Sequence, residues 1–171
     1  MKYVIDEMTA SDWEHVRSIY LEGIRSGHST FETDAPTWET WDQAHLQIAR
    51  LVTRDGDRVS GWAALSPVSK RSVYRGVAEV TVYVTESARG QGIGHALLEA
   101  LIDESEKHEI WTLQASIFPE NIASINLHLH CGFREVGRRE RIAMHNGVWR
   151  DTLLFERRSQ KVGIVLSTWN L

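Results

Sequence analysis

The sequence predicts a mixed α/β domain, and three features support this fold class. Residues 78–85 alternate apolar and polar side chains, the pattern of a strand with one buried face. Residues 93–101 instead repeat apolar side chains at the spacing of one helical face. Turn signals at Asp55-Gly56-Asp57 and at Asn146-Gly147, each between two strand-like runs, indicate two β-hairpins. Hairpins combined with a strand-to-helix unit indicate a sheet of mixed strand direction.

The first half of the chain is predicted to contain a strand, two helices and a hairpin. A strand at residues 2–8 precedes a helix that Thr9 or Ser11 caps and that ends near Gly27. After a polar loop, a second helix covers residues 38–47. The hairpin with its aspartate-glycine turn follows directly.

The second half is predicted to alternate strands and helices before a final hairpin. Its predicted elements, in order, are a strand at 78–85, a helix from about residue 93, a strand at 111–117, a helix at 122–130, and strands at 133–142 and 148–157. A glycine-rich loop connects the first strand of this half to its helix.

Composition and charge limit the function classes. With 171 residues, of which 42% are hydrophobic and 25% charged, the chain has the size and composition of one globular domain. A formal net charge of -4, spread over segments of mixed sign, argues against nucleic acid as a partner. The lone Cys131 excludes an internal disulfide framework and, without spaced partners, gives no metal site. The chain has neither a membrane-spanning apolar run nor a signal peptide, so we expect no membrane contact and a cytoplasmic location.

The segment RGQGIGHALL, residues 89–98, places three glycines directly ahead of a predicted helix. Unpaired backbone N–H groups and the positive end of the helix dipole would meet there, which predicts an anion site. The spacing does not fit the dinucleotide fingerprint G-x-G-x-x-G, and no Gly-Lys-Ser/Thr follows as in a nucleotide P-loop. A glycine-rich turn that only tightens the connection is the alternative interpretation.

Two segments together resemble the GCN5-related N-acetyltransferase (GNAT) superfamily. The first is Arg89-x-x-Gly92-x-Gly94 between a strand and a helix, and the second is NIASINLHLHCGF at residues 121–133. Four further segments are similar to the phosphinothricin and methionine sulfoximine acetyltransferase branch: STFE (29–32), GWAALSP (61–67), VYRGVAEVTVYV (73–84) and GVWRDTLLF (147–155).

The resemblance covers residues 1–158, which we interpret as a single N-acetyltransferase domain. It implies the GNAT fold, a central, twisted, mixed sheet of about six to seven strands flanked by about four helices. Residues 159–171 form a C-terminal extension of unknown role. This extension would pair as an extra strand, join a dimer interface or remain loose.

The resemblance also implies acetyl-CoA as cosubstrate and no metal. Backbone amides from about Gly90 to His95 would cradle the pyrophosphate, while Arg89 would supply charge at the rim or simply pack. If their strand bulges or splays, the backbone N–H groups of residues 82–84 would bond the pantetheine arm and polarise the acetyl carbonyl. The predicted cofactor-binding set is Val82, Tyr83, Val84, Arg89, Gly90, Gln91, Gly92, Ile93, Gly94, His95, Asn121 and Ser124. Helix capping is a sufficient structural reason for Asn121 and Ser124.

Glu79 and His128 are the predicted catalytic residues. Glu79 lies on the polar face of the strand before the glycine loop, where the resemblance implies a carboxylate base. A solvent-facing carboxylate is the alternative, and a glutamate pKa of about 4.3 suits an amine only if it is raised or if water relays the proton. His128 stands four residues before Gly132, where the resemblance implies the acid that protonates the departing thiolate. An ordinary histidine on a polar helix face is the alternative.

The predicted acceptor site lies on loops near Glu79. Its substrate-binding set is Phe31, Glu32, Trp62, Tyr74, Arg75 and Glu79. We expect Arg75 to bind a carboxylate, Glu32 to attract the amine, and the aromatic residues to form walls. Each also has an ordinary alternative as a surface charge or core aromatic. The branch implies an amino acid whose side chain ends in a tetrahedral or sulfoxidised group.

These observations predict an acetyl-CoA-dependent N-acetyltransferase that acts on a small amino-acid-like substrate by direct transfer in a ternary complex. One alternative acceptor is a protein N-terminus, a lysine or a polyamine. A non-catalytic CoA-binding domain is the other alternative, which the presence of both Glu79 and His128 disfavours. The resemblance further implies a homodimer to which the first helix and residues 31–47 contribute.

Overall fold

A computed structural model describes residues 3–164 of the chain. Within that range it contains seven strands and four α-helices, which confirms the predicted mixed α/β fold. In chain order they are β1 (Val4–Glu7), α1 (Trp13–Ser26), α2 (Trp38–Ala44), β2 (Leu51–Asp55), β3 (Arg58–Pro67), β4 (Val77–Val84), α3 (Ile93–Lys107), β5 (Thr112–Ile117), α4 (Ile122–His130), β6 (Arg134–His145) and β7 (Val148–Arg158).

Most element boundaries follow local signals that the sequence contains. Helix α1 ends at Gly27, whose φ of 72° is the left-handed conformation that glycine adopts freely. Asn146 and Gly147 both have positive φ, as a two-residue hairpin turn between β6 and β7 requires. Asn121 caps α4 by accepting a hydrogen bond from the backbone N–H of Ser124. These three boundaries agree with the sequence-based predictions.

Helix α2 is shorter than the predicted range of residues 38–47. It ends at Ala44, and His45 is already extended. The buried guanidinium of Arg50 donates to the backbone carbonyls of Asp42, His45 and Leu46. Because this one side chain satisfies carbonyls that a longer helix would have paired, the chain can turn away early.

The seven strands form one open sheet in the order β1-β2-β3-β4-β5-β7-β6. Every neighbouring pair is antiparallel except β4 and β5, which run parallel. That parallel pairing extends from Val77 opposite Thr112 to Glu79 opposite Gln114 and then stops. Beyond it, β4 stays paired with β3 and β5 stays paired with β7. Because β4 stays beside β3 and β5 stays beside β7, a wedge-shaped gap opens between β4 and β5.

A hydrophobic core covers each face of the sheet. On one face, α3 buries Leu97, Leu98 and Leu101 against the apolar side chains of the central strands. On the other face, α1 and α2 enclose a cluster that contains the fully buried Trp41 and Trp62. Burial of apolar surface on both faces fixes the two strands that border the wedge.

Residues 159–164 are the part of the predicted C-terminal extension that the structure describes. They contain no strand, and their side chains contact α3 instead. Ser159 is buried and donates a 2.9 Å hydrogen bond to Glu106, which also accepts from Arg157. Lys161 adds an ion pair with the same carboxylate at 3.0 Å. The rest of that extension, for which an extra strand, a dimer contact or a loose end is predicted, is residues 165–171, and it lies outside the described residues.

Candidate active site

A cleft of about 840 Å³ occupies the wedge between β4 and β5. Its walls come from β4, from the end of β5, from α4, and from the loop that follows α1. The predicted site residues among its lining are Phe31, Glu32, Glu79, Val82, Tyr83, Val84, Arg89, Gly94, Asn121, Ser124 and His128. The fold therefore brings together two predicted catalytic residues and parts of both predicted binding sets.

Glu79 lies at the apex of the wedge, in the last residue pair before the parallel strands separate. Its half-buried carboxylate accepts a 2.9 Å hydrogen bond from the side-chain amide of Gln114 on β5. The two side chains thus face each other across the strands at the closed end of the cleft. A carboxylate fixed there is positioned to accept a proton from a molecule that enters the wedge.

Along the edge of β4 that borders the cleft, every second residue directs its backbone N–H and C=O groups toward the cleft. The carbonyl of Tyr83 lies near Gly61 of β3, and the N–H of Thr85 donates to Ser60 at 2.9 Å. Since backbone groups alternate sides along a strand, Val82 and Val84 direct theirs toward the wedge. The carbonyl of Val84 indeed accepts a hydrogen bond from Arg89.

The prediction for the backbone N–H of Tyr83 is therefore wrong, because that residue directs its backbone toward β3. Its side chain, not its backbone, contributes to the cleft lining. Of the two conditions named for this contact, a bulge does not occur in β4, whose register with β3 is continuous from Ala78 to Val84. Separation of β4 from β5, the other predicted possibility, is what exposes the strand edge.

The glycine loop leads from the mouth of the cleft into α3. Gly90 and Gly92 have φ values of 73° and 79°, and no atom lies within 4 Å of the position that a Cβ would occupy at either residue. The first helical hydrogen bond runs from Ala96 N–H to the Gly92 carbonyl at 3.0 Å. Amides ahead of Ala96 lie in the first turn, where helices have no internal acceptors. These amides and the helix dipole make the loop suitable for an anion.

The side chains of the glycine loop contribute less to the predicted anion site than its backbone amides do. Ile93 is buried in the core with 2% exposure. His95 is exposed, and its Nδ1 lies 3.3 Å from Glu99 on the next helical turn. Gly94 is the position of closest approach, since a Cβ there would lie 3.5 Å from Leu127 of α4 and 3.6 Å from Val84 of β4. The absent side chain of Gly94 keeps this end of the cleft open.

His128 is buried on α4 and lines the cleft. Its Nδ1 lies 2.7 Å from the backbone carbonyl of Ser124, so the N–H is at Nδ1 and the lone pair is at Nε2. Burial lowers the pKa of His128, while the hydrogen bond to Ser124 partly opposes that shift. The ring is therefore neutral at pH 7 and accepts a proton at Nε2, which favours a proton acceptor over the predicted acid.

Acid pH should reveal the protonation of His128. Because the pKa of the folded state lies below the ordinary value of 6.5, stability from this residue is complete above about pH 6.5 and is lost as the pH falls through the folded pKa. We expect His128→Gln to reduce this loss, measured by urea unfolding over a pH series. We also expect kcat/KM of this variant to fall less steeply toward acid pH than kcat/KM of the wild type.

His45 provides the matched control, since burial also lowers its pKa but it does not line the cleft. His45→Gln should change the pH dependence of stability and leave the pH dependence of kcat/KM unchanged. If His128→Gln leaves that acidic limb unchanged as well, His128 does not exchange a proton during the reaction.

Three predicted acceptor residues lie away from the cleft. Trp62 was predicted as a wall but is 1% exposed, and it stacks on Tyr83 with ring centroids 5.2 Å apart. Tyr74 and Arg75 are exposed at a short 3-10 turn before β4, and neither lines the cleft. Arg75 instead lies over the ring of Trp111 at 5.3 Å. The prediction that these three residues surround the acceptor is not supported within this chain.

Other residues line the cleft or support it without having been predicted. Tyr20 contributes its ring from α1 and packs on Tyr83 with ring centroids 5.0 Å apart. Glu22 accepts hydrogen bonds from Thr85 and from the backbone N–H of Glu86, which fixes the chain ahead of the glycine loop. Gln114 lies on the polar face of β5, where Thr112, Gln114 and Ser116 alternate with buried apolar residues, so no local signal distinguishes it.

No cluster of three or more potential metal-binding side chains occurs within residues 3–164. None of the helices in the same range combines the length and apolar character needed to cross a membrane.

The chain is similar to known proteins in sequence and in fold. The sequence profile of the acetyltransferase (GNAT) family matches residues 13–133. The chain is 31% identical to a phosphinothricin N-acetyltransferase from Alcaligenes faecalis, over 85% of this chain and 77% of that protein. It is 34% identical to an L-methionine sulfoximine/L-methionine sulfone acetyltransferase from Pseudomonas paraeruginosa, over 88% and 91%. A crystal structure of a phosphinothricin acetyltransferase from Sinorhizobium meliloti in complex with AcCoA matches with a TM-score of 0.84 at 27% identity, over 95% and 91%.

Proposed function

This chain belongs to the GNAT acetyltransferase family, and from that membership we propose that it acetylates the amino group of a small amino-acid-like substrate. It is an N-acetyltransferase that uses acetyl-CoA as cosubstrate. Phosphinothricin, methionine sulfoximine and methionine sulfone, on which similar enzymes are named to act, define the proposed acceptor class. Transfer is direct, within a ternary complex of the enzyme and both substrates.

The observation that carries this proposal is the wedge with Glu79 at its apex and free amides at its mouth. In the proposal, the amides of residues 90–95 hold the diphosphate of the cosubstrate. The open edge of β4 at Val82 and Val84 receives the pantetheine arm by backbone hydrogen bonds. Acetyl-CoA supplies an acetyl group that is activated as a thioester. The parting of the strands directs that group toward Glu79.

Glu79 accepts the proton of the acceptor amine, directly or through a water molecule, in this proposal. The hydrogen bond from Gln114 holds one carboxylate oxygen, Oε2, and leaves the other for the proton. His128 offers a second proton acceptor at Nε2 in the same cleft. Two acceptors are chemically useful because the amine enters as an ammonium ion and must lose two protons to become an amide. One of these protons passes to the CoA thiolate, which leaves as the thioester C–S bond breaks and the new N–C bond forms.

Direct transfer is favoured over a covalent cysteine route by the state of Cys131. This thiol is buried, and burial raises its pKa to about 11. A thiol of that pKa is almost fully protonated at pH 7 and is a poor nucleophile. The acceptor amine itself is therefore the proposed nucleophile.

The acceptor occupies the end of the cleft formed by the loop after α1. Phe31 contributes an apolar wall, and its ring meets that of Phe118 with centroids 4.8 Å apart. The exposed carboxylate of Glu32 supplies attraction for the ammonium group at the entrance. Tyr20 and Tyr83 add hydroxyl groups for a tetrahedral or sulfoxidised side-chain end.

A homodimer in the cytoplasm, to which α1 and residues 31–47 contribute, is also part of the proposal. Apolar side chains on one face of the hairpin of β6 and β7 support an interface, since Ile142, Met144 and Trp149 are each at least half exposed in the described chain. An apolar patch of this kind is typical of protein-protein contacts.

Thiol release from acetyl-CoA by the purified protein tests the proposed acceptor. The panel contains phosphinothricin, methionine sulfoximine, methionine sulfone, unmodified methionine, a polyamine, a lysine peptide and a peptide with N-terminal alanine. We expect the highest kcat/KM with the three amino acids that have tetrahedral or sulfoxidised side-chain ends. Higher kcat/KM with a peptide or polyamine would contradict the proposed acceptor, and no release with any amine would contradict transferase activity.

A further inference from the structure

Two distant side chains hold the loop that follows α1 at consecutive carbonyl groups. Arg150 of β7 donates a 3.1 Å hydrogen bond to the carbonyl of Gly27. Asn121, at the start of α4, donates a 3.1 Å hydrogen bond to the carbonyl of His28. The same loop continues through Ser29 and Thr30 to Phe31 and Glu32, all of which line the cleft. The position of the acceptor end of the cleft thus depends on these contacts.

Arg150 is fixed on several sides. Its guanidinium carbon lies 4.1 Å from the centroid of the Phe118 ring, and its side chain is 13% exposed. It donates to Glu120 at 3.3 Å and approaches Nδ1 of His28 at 3.4 Å. A hydrogen bond from its own backbone and the nearby Arg150 hold the pKa of Glu120 below its ordinary value, so the ion pair persists at neutral pH. Arg150 contacts the loop through Gly27 and is absent from the lining of the main cleft, which is the placement of a positioning residue.

A second cavity of about 420 Å³ lies on the other side of Arg150. His28 and Glu120 line both this cavity and the main cleft. Phe118 lines the main cleft, whereas Arg150 lines the second cavity. The stacked pair of Phe118 and Arg150, bonded to the loop at Gly27, therefore stands between the two spaces.

We propose that Arg150 is a positioning residue that determines acceptor size, because it holds residues 27–32 in place and separates the acceptor end of the cleft from the second cavity. This inference rests on the proposed function. With Arg150 present, the acceptor is limited to a single short amino acid. Without it, the loop loosens and the two spaces join, so a longer acceptor gains room.

The test compares Arg150→Ala with the wild type on methionine sulfone and on two longer acceptors. One is the dipeptide of methionine sulfone with C-terminal alanine, and the other is ethionine sulfone. We expect KM for methionine sulfone to rise about tenfold, while KM for acetyl-CoA and kcat change much less. We expect kcat/KM for at least one longer acceptor, relative to methionine sulfone, to rise about tenfold or more.

Two control variants separate positioning from general destabilisation. Arg138→Ala removes another arginine that lines the second cavity, one that pairs with Asp151 and not with the loop, and should leave the acceptor ratio unchanged. Arg150→Lys keeps the positive charge but lacks the planar, forked guanidinium group. Its ratio of kcat/KM for the longer acceptor to kcat/KM for methionine sulfone should lie between those of the wild type and Arg150→Ala. An equal fall of kcat/KM for all acceptors in Arg150→Ala would overturn the proposal.

Hydrogen exchange provides a readout that needs no acceptor. We expect backbone amides of residues 27–32 to exchange faster in Arg150→Ala than in the wild type, and to be unchanged in Arg138→Ala. Unchanged exchange in Arg150→Ala would overturn the positioning role even if the enzyme acetylates amino acids. If the wild type acetylates no amino acid but the exchange rises as expected, the proposed acceptor fails and the positioning role stands.

Discussion

Glu79→Gln is expected to lower kcat by about 10²- to 10⁴-fold, the usual contribution of a general base, with acetyl-CoA binding retained. Glutamine has the shape of glutamate and keeps an oxygen for the hydrogen bond from Gln114, but it accepts no proton at neutral pH. The variant should therefore fold normally and fail in chemistry. Steady-state thiol release gives kcat, and isothermal titration calorimetry gives the affinity for CoA.

Glu135→Gln is the matched control, since Glu135 is an exposed strand glutamate on β6 that does not line the cleft. It should retain wild-type kcat and KM. A wild-type kcat in Glu79→Gln would remove Glu79 from the proposed mechanism. A loss of CoA affinity equal to the loss in kcat would indicate a binding role instead.

Gly94→Leu is expected to raise KM for acetyl-CoA by more than about tenfold, with a small change in thermal stability. A Cβ at Gly94 fits, because its nearest neighbours on Leu127 and Val84 are 3.5 and 3.6 Å away. The remaining atoms of a leucine have no room beyond those neighbours except the cleft between β4 and α4. Thiol release at varied acetyl-CoA concentrations measures KM, and thermal unfolding measures stability.

Gly94→Ala is the control for this substitution, since it adds only the Cβ that the site accommodates. It should remain close to the wild type in KM. Gly92 is a less informative site, because its φ of 79° would strain any other residue and affect folding and binding together. If Gly94→Leu unfolds the protein while KM is unchanged in the folded fraction, Gly94 serves packing only.

Local signals in the sequence were sufficient for the elements that depend on neighbouring residues. The alternation at 78–85 predicts β4, and the glycine-rich loop predicts the start of α3. Asn146-Gly147 predicts the last turn, because the required positive φ values are a property of those two residues. The position of Glu79 in the cleft followed from the strand together with the family resemblance.

Features that depend on distant pairing were not predictable in this way. The direction of the Tyr83 backbone is set by its pairing with β3, which the sequence of β4 alone does not specify. A tryptophan such as Trp62 suits either a pocket wall or the core. Only its packing against Trp41 and Tyr83 places it in the core. Arg150 contacts Gly27 across 123 positions of sequence, so no local pattern reveals it.

A crystal structure of the enzyme with CoA and methionine sulfone tests the central claim most directly. That claim is that the parting of β4 and β5 forms a binding cleft with a base at its closed end. The account predicts the diphosphate on the backbone amides of residues 90–95, the sulfur between the two strands, and the acceptor nitrogen within direct or single-water reach of the Glu79 carboxylate. A diphosphate bound elsewhere, or a Glu79 side chain directed away from the sulfur and the amine, would contradict it.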